Sequence, residues 1–458
     1  MSVPTAAHGI DPRRIAALMR REEEAYAAAN PRSRALAERA RASLVRGVPM
    51  HWMDQWPCPF PLHVASATGA RVTDVDGHDY ADLCLGDTGA MFGHAVEPVV
   101  AAIAEQAARG STLMLPTEDA AWVGEELRRR FGLPFWQLAT SATDANRFAM
   151  RLARVATGRD KVLVFNGKYH GSVDETQVEL AGGAMVPQHG VAPNAVDFAR
   201  TTALVEWNDV DALERALGAG DVACVLAEPI MTNIGMVPAA PGYHDALRRL
   251  TRRHGAVLII DETHTISTGP GGYTRAHGLE PDVFVLGKAL AGGIPCAVWG
   301  LSDALADALR AYTAQDGHQI NHFGFGGTLA GNALTLHAMR ATLEHVMTDA
   351  AYAHMIELAT RLESDVAATI RARGLPWHVT RIGARSEYLF RPTTPQTGGE
   401  AAEARDADLE AVLHLYLLNR GVLLTPFHNM SLMCPATTVA DVDRHGEALA
   451  GCLAELTA

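Results

Sequence analysis

Two short apolar runs, each delivering a reactive residue, constrain this chain more than any other feature. Ala256 to Ile260 ends on Asp261, and Val283 to Leu286 ends on Gly287 and Lys288. Runs this short, rich in Val and Ile and followed at once by polar residues, read as buried parallel strands. In open α/β sheets the ligand crevice lies at the carboxyl ends of the strands. A carboxylate and an amine would then face one crevice. Each has a plainer reading: a lysine after a strand is commonly a solvated surface residue, and an aspartate there is commonly a helix cap.

The chain before this stretch alternates in the same way. Trp136 to Leu138 reads as a strand, followed by Ala139-Thr140-Ser141-Ala142-Thr143-Asp144 and a helix to about Ala156 with Phe148, Leu152 and Val155 on its apolar face. Hydroxyl residues at a helix start either cap it or cradle a phosphate, because free N–H groups and the positive dipole end point outward there. Lys161 to Phe165 is the next strand, and Tyr169 after it would sit at the sheet's carboxyl edge, able to cover a flat ring. Thr202 to Val205 and Val222 to Ala227 follow, the latter ending on Glu228-Pro229 with Asn233 and Gly235 in a loop. A helix from Tyr243 to His254 leads into the central stretch. This alternation predicts an α/β fold, a mostly parallel sheet with helices on both faces. An amine that condenses with an aldehyde and an acid that pairs with a pyridinium nitrogen suit pyridoxal phosphate.

A chain of 458 residues suggests more than one lobe. Residues 11–45 read as amphipathic helices, and Gly47 to Phe60 as an ordered arm carrying His51, Trp52, Trp56 and three prolines. Its aromatics can line a pocket or simply anchor the arm. A hairpin is expected around Asp76-Gly77; Asp74 and Asp76 there lack the spacing of a calcium loop. A helix is expected from Pro98 to Arg109. Downstream, the glycine-dense run Phe323 to Asn332 does not match a dinucleotide fingerprint. Helices from Ala333 to Arg373, a strand pair from His378 to Phe390, a mobile loop from Thr394 to Ala404 and a final helix from Ala440 complete a smaller α+β lobe.

The formal net charge of −13 argues against a nucleic-acid binder. The six cysteines form no CxxC pair and read as reduced core residues. The start of the sequence has no signal-peptide apolar region and no apolar run is long enough for a bilayer, so a soluble, cytoplasmic protein with no membrane partner is expected. Despite 20 histidines there is no HExxH or paired-His spacing, and no metal is expected.

Taken in order, Asp74-Val-Asp76-Gly77, Ser141-Ala142-Thr143-Asp144-Ala145, Tyr169-His170-Gly171, Glu228-Pro229, Asp261-Glu262, Gly287-Lys288 and Gly327-Thr328 carry a family resemblance. From roughly residue 35 onward the chain resembles the class III, fold-type I pyridoxal-phosphate aminotransferases. It looks most like the branch holding glutamate-1-semialdehyde aminomutases and β-amino-acid aminotransferases, where Asn233 replaces the usual Gln. The resemblance implies a seven-stranded, mostly parallel sheet flanked by helices. It divides the chain into an N-terminal arm with part of a small domain (1–95), a large cofactor-binding domain (96–335) and a C-terminal small domain (336–458). Lys288 would form the internal aldimine with pyridoxal 5′-phosphate and move the proton. Asp261 would hold the ring nitrogen protonated, and Tyr169 would stack on the ring. Ser141, Ala142 and Thr143 would bind the phosphate; Glu228, Asn233 and Thr263 would complete the ring's surroundings. Thr328 would reach the partner subunit's phosphate in a homodimer with shared sites.

The implied activity is transamination between an amino acid or amine with an apolar or aromatic portion and a keto acid. A 2,1-aminomutase or an ammonia-lyase on the same scaffold is the alternative. The chain departs from the family pattern in places. Ala142 stands for the usual Gly, a change that needs negative φ there. Thr263 stands for Val, and Leu329 for an aromatic. The arm Met50-His51-Trp52-Met53 has no Arg to grip a substrate carboxylate, and Pro426-Phe427-His428 replaces a Pro-Arg. His51, Trp52, Arg385 and His428 are the candidates for substrate contact; for Arg385 a structural ion pair is an equal reading.

Overall fold

The computed structural model describes residues 8–314 and 324–458. Residues 1–7 and Phe323, the first residue of the glycine-dense run, lie outside the described residues. The chain forms two compact units. The larger comprises Glu97–Asp349 and Pro395–Ala402; the smaller comprises Met1–Val96, Ala350–Thr394 and Glu403–Ala458.

The larger unit is built on the expected seven-stranded sheet. In chain order its strands are β1 (Phe135–Ala139), β2 (Lys161–Phe165), β3 (Thr202–Val205), β4 (Val222–Ala227), β5 (Val257–Asp261), β6 (Val283–Gly287) and β7 (Ala297–Leu301). Across the sheet they run β1-β7-β6-β5-β4-β2-β3. Among β2 to β6 every adjacent pair is parallel, while β7 is antiparallel to both β6 and β1.

Alternate strand residues point to opposite faces. Val257 and Ile259, with Val283 and Val285, pack against Ala145, Phe148 and Ala149 of the helix Ala142–Thr157. Leu258 and Ile260 face the other way, onto Leu247 and Leu250 of the helix Tyr243–His254. Both faces are covered, so β5 and β6 are apolar at every internal position. Each such buried side chain contributes about 1.5–3 kcal/mol of transfer free energy.

Four strands are hard to read from the sequence. Val64–Thr68 is largely exposed on both faces, so no alternation marks it. The hairpin of Val178–Ala181 and Ala184–Pro187 is equally short. β7 is wholly buried but carries a glycine, Gly300, into which the Trp136 ring packs. Residues 394–404, expected to be a mobile loop, instead hold the helix Gly398–Glu403. Gly398 N–H donates to Glu206 Oε2 at 3.0 Å and Ala401 is fully buried, which pins the segment. The larger unit also runs on to Asp349 rather than ending at 335, because the helix Ala333–Ala341 packs on the helices Glu97–Arg109 and Glu118–Phe131.

The smaller unit holds a four-stranded sheet of Val64–Thr68, Arg71–Asp74, Asp79–Asp82 and Val422–Leu423, and a three-stranded one of His378–Ile382, Arg385–Leu389 and Met430–Leu432. Asp76, in the expected hairpin turn, caps a helix from a distance. The helix Pro31–Ala40 has no side-chain bond from its own N-cap, Asn30. Asp76 supplies it, accepting from Arg32 N–H at 2.8 Å and Ser33 N–H at 2.9 Å. Asp76→Ala should therefore cost about 1 kcal/mol, the worth of an N-cap. Urea unfolding of the variant against wild type measures it, and an unchanged midpoint would refute the capping role.

Candidate active site

The alternation of β5 fixes where its last residue points. Asp261 shares a face with Val257 and Ile259, toward the helix Ala142–Thr157. There Asn146 Nδ2 donates to Asp261 Oδ2 at 2.9 Å, and His170 Nδ1 meets the same oxygen at 2.9 Å. Oδ1 accepts from Thr263 N–H at 3.1 Å and Thr263 Oγ1 at 2.7 Å. Burial pushes the Asp261 pKa up, but the His170 contact, helped by Thr263 and Asn146, outweighs it and brings the value down to about 2. This is a permanent anion in a dry place.

Lys288 follows β6, the strand beside β5. Its backbone is left-handed, with φ 62° and ψ −78°, a conformation few side-chain-bearing residues adopt and one common at functional sites. Its Nζ lies 2.9 Å from His264 Nε2. Thr263 joins the two strand ends: its hydroxyl donates to Asp261 and accepts from Gly287 N–H at 3.2 Å. Beyond its expected place beside the ring, Thr263 is thus a tie between the anion and the lysine's strand.

The helix start lies alongside. Ser141 is the N-cap of Ala142–Thr157 and accepts from Asp144 N–H at 3.2 Å, while its hydroxyl donates back to Asp144 at 3.0 Å. With that hydroxyl engaged, the N–H groups of Ala142 and Thr143 are the first-turn donors, and a helix offers them no internal acceptor. Ala142 has the negative φ that the replacement of Gly requires. Two glycines bring backbone close here. A Cβ on Gly171 would sit 2.1 Å from Thr143 Oγ1, and one on Gly287 would sit 2.9 Å from the Ala142 Cβ. Tyr169 stands at the edge of the sheet, 47% exposed. Glu228 accepts from Thr232 Oγ1 at 2.5 Å, and Asn233 Nδ2 donates to the Gly167 carbonyl at 3.4 Å. Thr328 lies in an exposed turn.

The four substrate candidates belong to the smaller unit. His51 and Trp52 are exposed. Arg385 is fully buried and donates to Thr88 Oγ1 at 2.6 Å; His428 is buried against Glu387 Oε1 at 3.3 Å. Sequence reasoning gave no role to Asn146, His170 or His264. A usable signal existed for the first: Asn146 is a polar residue on the helix face that otherwise carries Ala145, Ala149 and Phe148.

Pyridoxal 5′-phosphate fits this donor set. A ring nitrogen needs a fixed anion, which Asp261 is; an aldehyde needs an amine, which Lys288 carries. A phosphate needs N–H donors at an accessible helix start, and a flat ring needs an open aromatic face such as that of Tyr169. Among the described residues no cluster suits a metal ion, and no helix is long and apolar enough to cross a membrane.

Comparison with known proteins agrees. Residues 52–449 match the family model Aminotransferase class-III. A glutamate-1-semialdehyde 2,1-aminomutase of Sorangium cellulosum (strain So ce56) is 33% identical over 425 residues, 90% of this chain and 94% of that protein. Among solved structures, a glutamate-1-semialdehyde-aminomutase from Pseudomonas aeruginosa PAO1 is similar at 62% identity and a TM-score of 0.97, covering 98% of this chain and all of that one. A lysine-to-alanine variant of a glutamate-1-semialdehyde-aminomutase from the same organism, also 62% identical with a TM-score of 0.97, is in complex with PMP. A β-phenylalanine aminotransferase from Variovorax paradoxus is similar at 26% identity and a TM-score of 0.84, over 96% of each chain.

Asp261→Asn keeps the shape and removes the charge. Turnover should fall roughly 10²–10³-fold, the scale of one lost preorganised electrostatic contact. The native pKa lies below the ordinary 3.8, so this carboxylate stabilises the fold above pH 3.8 and that contribution is lost as pH falls toward 2. Unfolding measured across that window should show the slope in wild type and a weaker one in the variant.

Proposed function

The chain belongs to the class-III aminotransferase family and uses pyridoxal 5′-phosphate, and from that premise we propose that it is a 2,1-aminomutase, moving an amino group between adjacent carbons of one small substrate. The sequence reading put aminotransfer between two molecules first and the mutase second. The near-complete likeness to the Pseudomonas aeruginosa aminomutase structure, which spans both units, is the observation that carries the reversed order.

When bound, the cofactor supplies an aldehyde for the substrate's amine and a cationic ring that draws in the electron pair left by a departing proton. The chain's own residues do the rest. Asp261 holds its negative charge against the ring nitrogen. Lys288 Nζ takes the proton from one carbon and returns it to the neighbour, as a positioned general base and acid. Tyr169 covers the ring, and Ser141, Ala142 and Thr143 hold the phosphate. Thr263 keeps the anion and the lysine's strand in register. Glu228 and Asn233 order the ring's oxygen side. For the substrate, exposed His51 and Trp52 are better placed to be reached than Arg385 and His428, which are buried with Thr88 and Glu387 as partners.

A second copy of the chain completes the site in this reading. Met114 and Leu115 are 79% and 75% exposed and Leu329 is 58% exposed, next to exposed Thr328. Apolar residues left open in this way suit burial in a homodimer. Thr328→Ala should then weaken cofactor retention in the dimer about tenfold, the worth of a charge-assisted hydrogen bond. Equilibrium dialysis reads it, and unchanged retention would remove the in-trans role.

Aminotransfer between two molecules stays as the second reading, favoured by the arm Met50-His51-Trp52-Met53, which lacks an Arg, and by the likeness to the β-phenylalanine aminotransferase. Holoenzyme given glutamate 1-semialdehyde and no acceptor separates the two. A mutase turns it into the isomer 5-amino-4-oxopentanoate, mole for mole. Consumption only when a keto acid is added would establish a transaminase, and release of ammonia a lyase.

A further inference from the structure

We propose that His264 is a positioning residue for Lys288, holding the lysine amine through Nε2 while that amine is detached from the cofactor and drawing off its surplus proton. The inference rests on the pyridoxal-phosphate site and holds equally for mutase and transaminase turnover.

The geometry is direct. Nε2 lies 2.9 Å from Lys288 Nζ, and both side chains are half-buried. Nothing in the sequence reading gave His264 a role. The turn that carries it is fixed on both sides. Before it, Thr263 is bonded to Asp261 and to Gly287 N–H. After it, Thr265 Oγ1 donates to the fully buried Glu262, which also accepts from Tyr273 N–H at 3.1 Å. The imidazole therefore reaches Lys288 from a backbone with little freedom, on the strand end adjacent to the lysine's own.

The chemistry asks for such a group. Lys288 must be released when a substrate amine takes its place, must then wait within reach, and must attack again as a neutral amine. A carboxylate partner would fix it as an ammonium. Asp261 does not do so, because its hydrogen bonds go to Thr263, Asn146 and His170. A neutral imidazole is an uncharged acceptor. It holds an N–H of the amine and leaves the nitrogen lone pair free. When Lys288 has taken a carbon-bound proton, one ammonium N–H bond breaks, its electron pair stays on Nζ, and the proton forms an N–H bond at Nε2; the reverse transfer hands it back to Nζ before Lys288 delivers it to the second carbon. Imidazolium and free amine result, with atoms and charge conserved.

The test uses the apoenzyme as well as the loaded one. Apoenzyme is mixed with pyridoxal 5′-phosphate, quenched at intervals with borohydride, and the reduced Lys288 peptide is quantified by mass. His264→Ala should slow capture roughly tenfold, the scale of one lost hydrogen bond, with Lys288 still the residue modified. His264→Gln, an acceptor that cannot take a proton, should restore capture. It should leave the single-turnover rate depressed by roughly 10²-fold, the low end of general acid–base contributions. Wild-type capture and turnover rates in both variants would overturn the proposal, as would equal loss in Ala and Gln, which marks a packing role. If the Ala variant does not fold, the capture and turnover of the Gln variant decide alone. Absence of any trapped Lys288 in wild type would instead strike at the cofactor site itself.

Discussion

A carboxylate without solvent must be kept charged by its neighbours, and the larger unit is arranged around doing that for Asp261. The group sits at the end of the central strand of a sheet covered on both faces. Burial alone would make it a neutral acid. Three residues prevent this, and they come from a helix, from the loop after β2 and from the turn after β5. Each of those segments also serves the cofactor site. The helix offers its free N–H groups at one end and Asn146 one turn in. The loop after β2 presents Tyr169 beside His170. The turn after β5 holds Thr263 and His264. Satisfying one buried charge thus brings the parts of the site together.

The strands that build this arrangement were legible because they are buried on both faces. An unbroken apolar run of five or so residues closed by a polar one is a distinctive signal, and β2, β4, β5 and β6 all have it. Asp261 and Lys288 were legible for the same reason, as the first polar residues after such runs. The elements that escaped lack that contrast. Val64–Thr68 pairs at a sheet edge with its side chains in water. The helix Gly398–Glu403 is rich in Gly and Thr in its approach and is stabilised by Glu206, far away in sequence. Asn146 and His264 were hidden by a different cause. Each is a polar residue whose role depends on a strand end more than twenty positions away, and no local pattern carries that information.

The substrate side shows the limit of reading charge from sequence. Arg385 is the sort of residue one expects to meet a substrate carboxylate, yet it is fully buried, with Thr88 Oγ1 at 2.6 Å and the Asp87 carboxylate at 3.9 Å. His428 is similarly spent on Glu387. A cation in a sequence declares its charge but not whether the fold has already neutralised it.

The close approach of β6 to the helix start has a further consequence. The Ala142 methyl group points at the one residue of β6 that has no side chain. The two positions share room for a single methyl. A chain of this kind can place it on the helix or on the strand, and not on both. Changes at these sites should therefore travel as a pair through descent: a side chain gained at the strand end demands one surrendered at the helix, and the gain alone would push apart the lysine and the phosphate-binding turn.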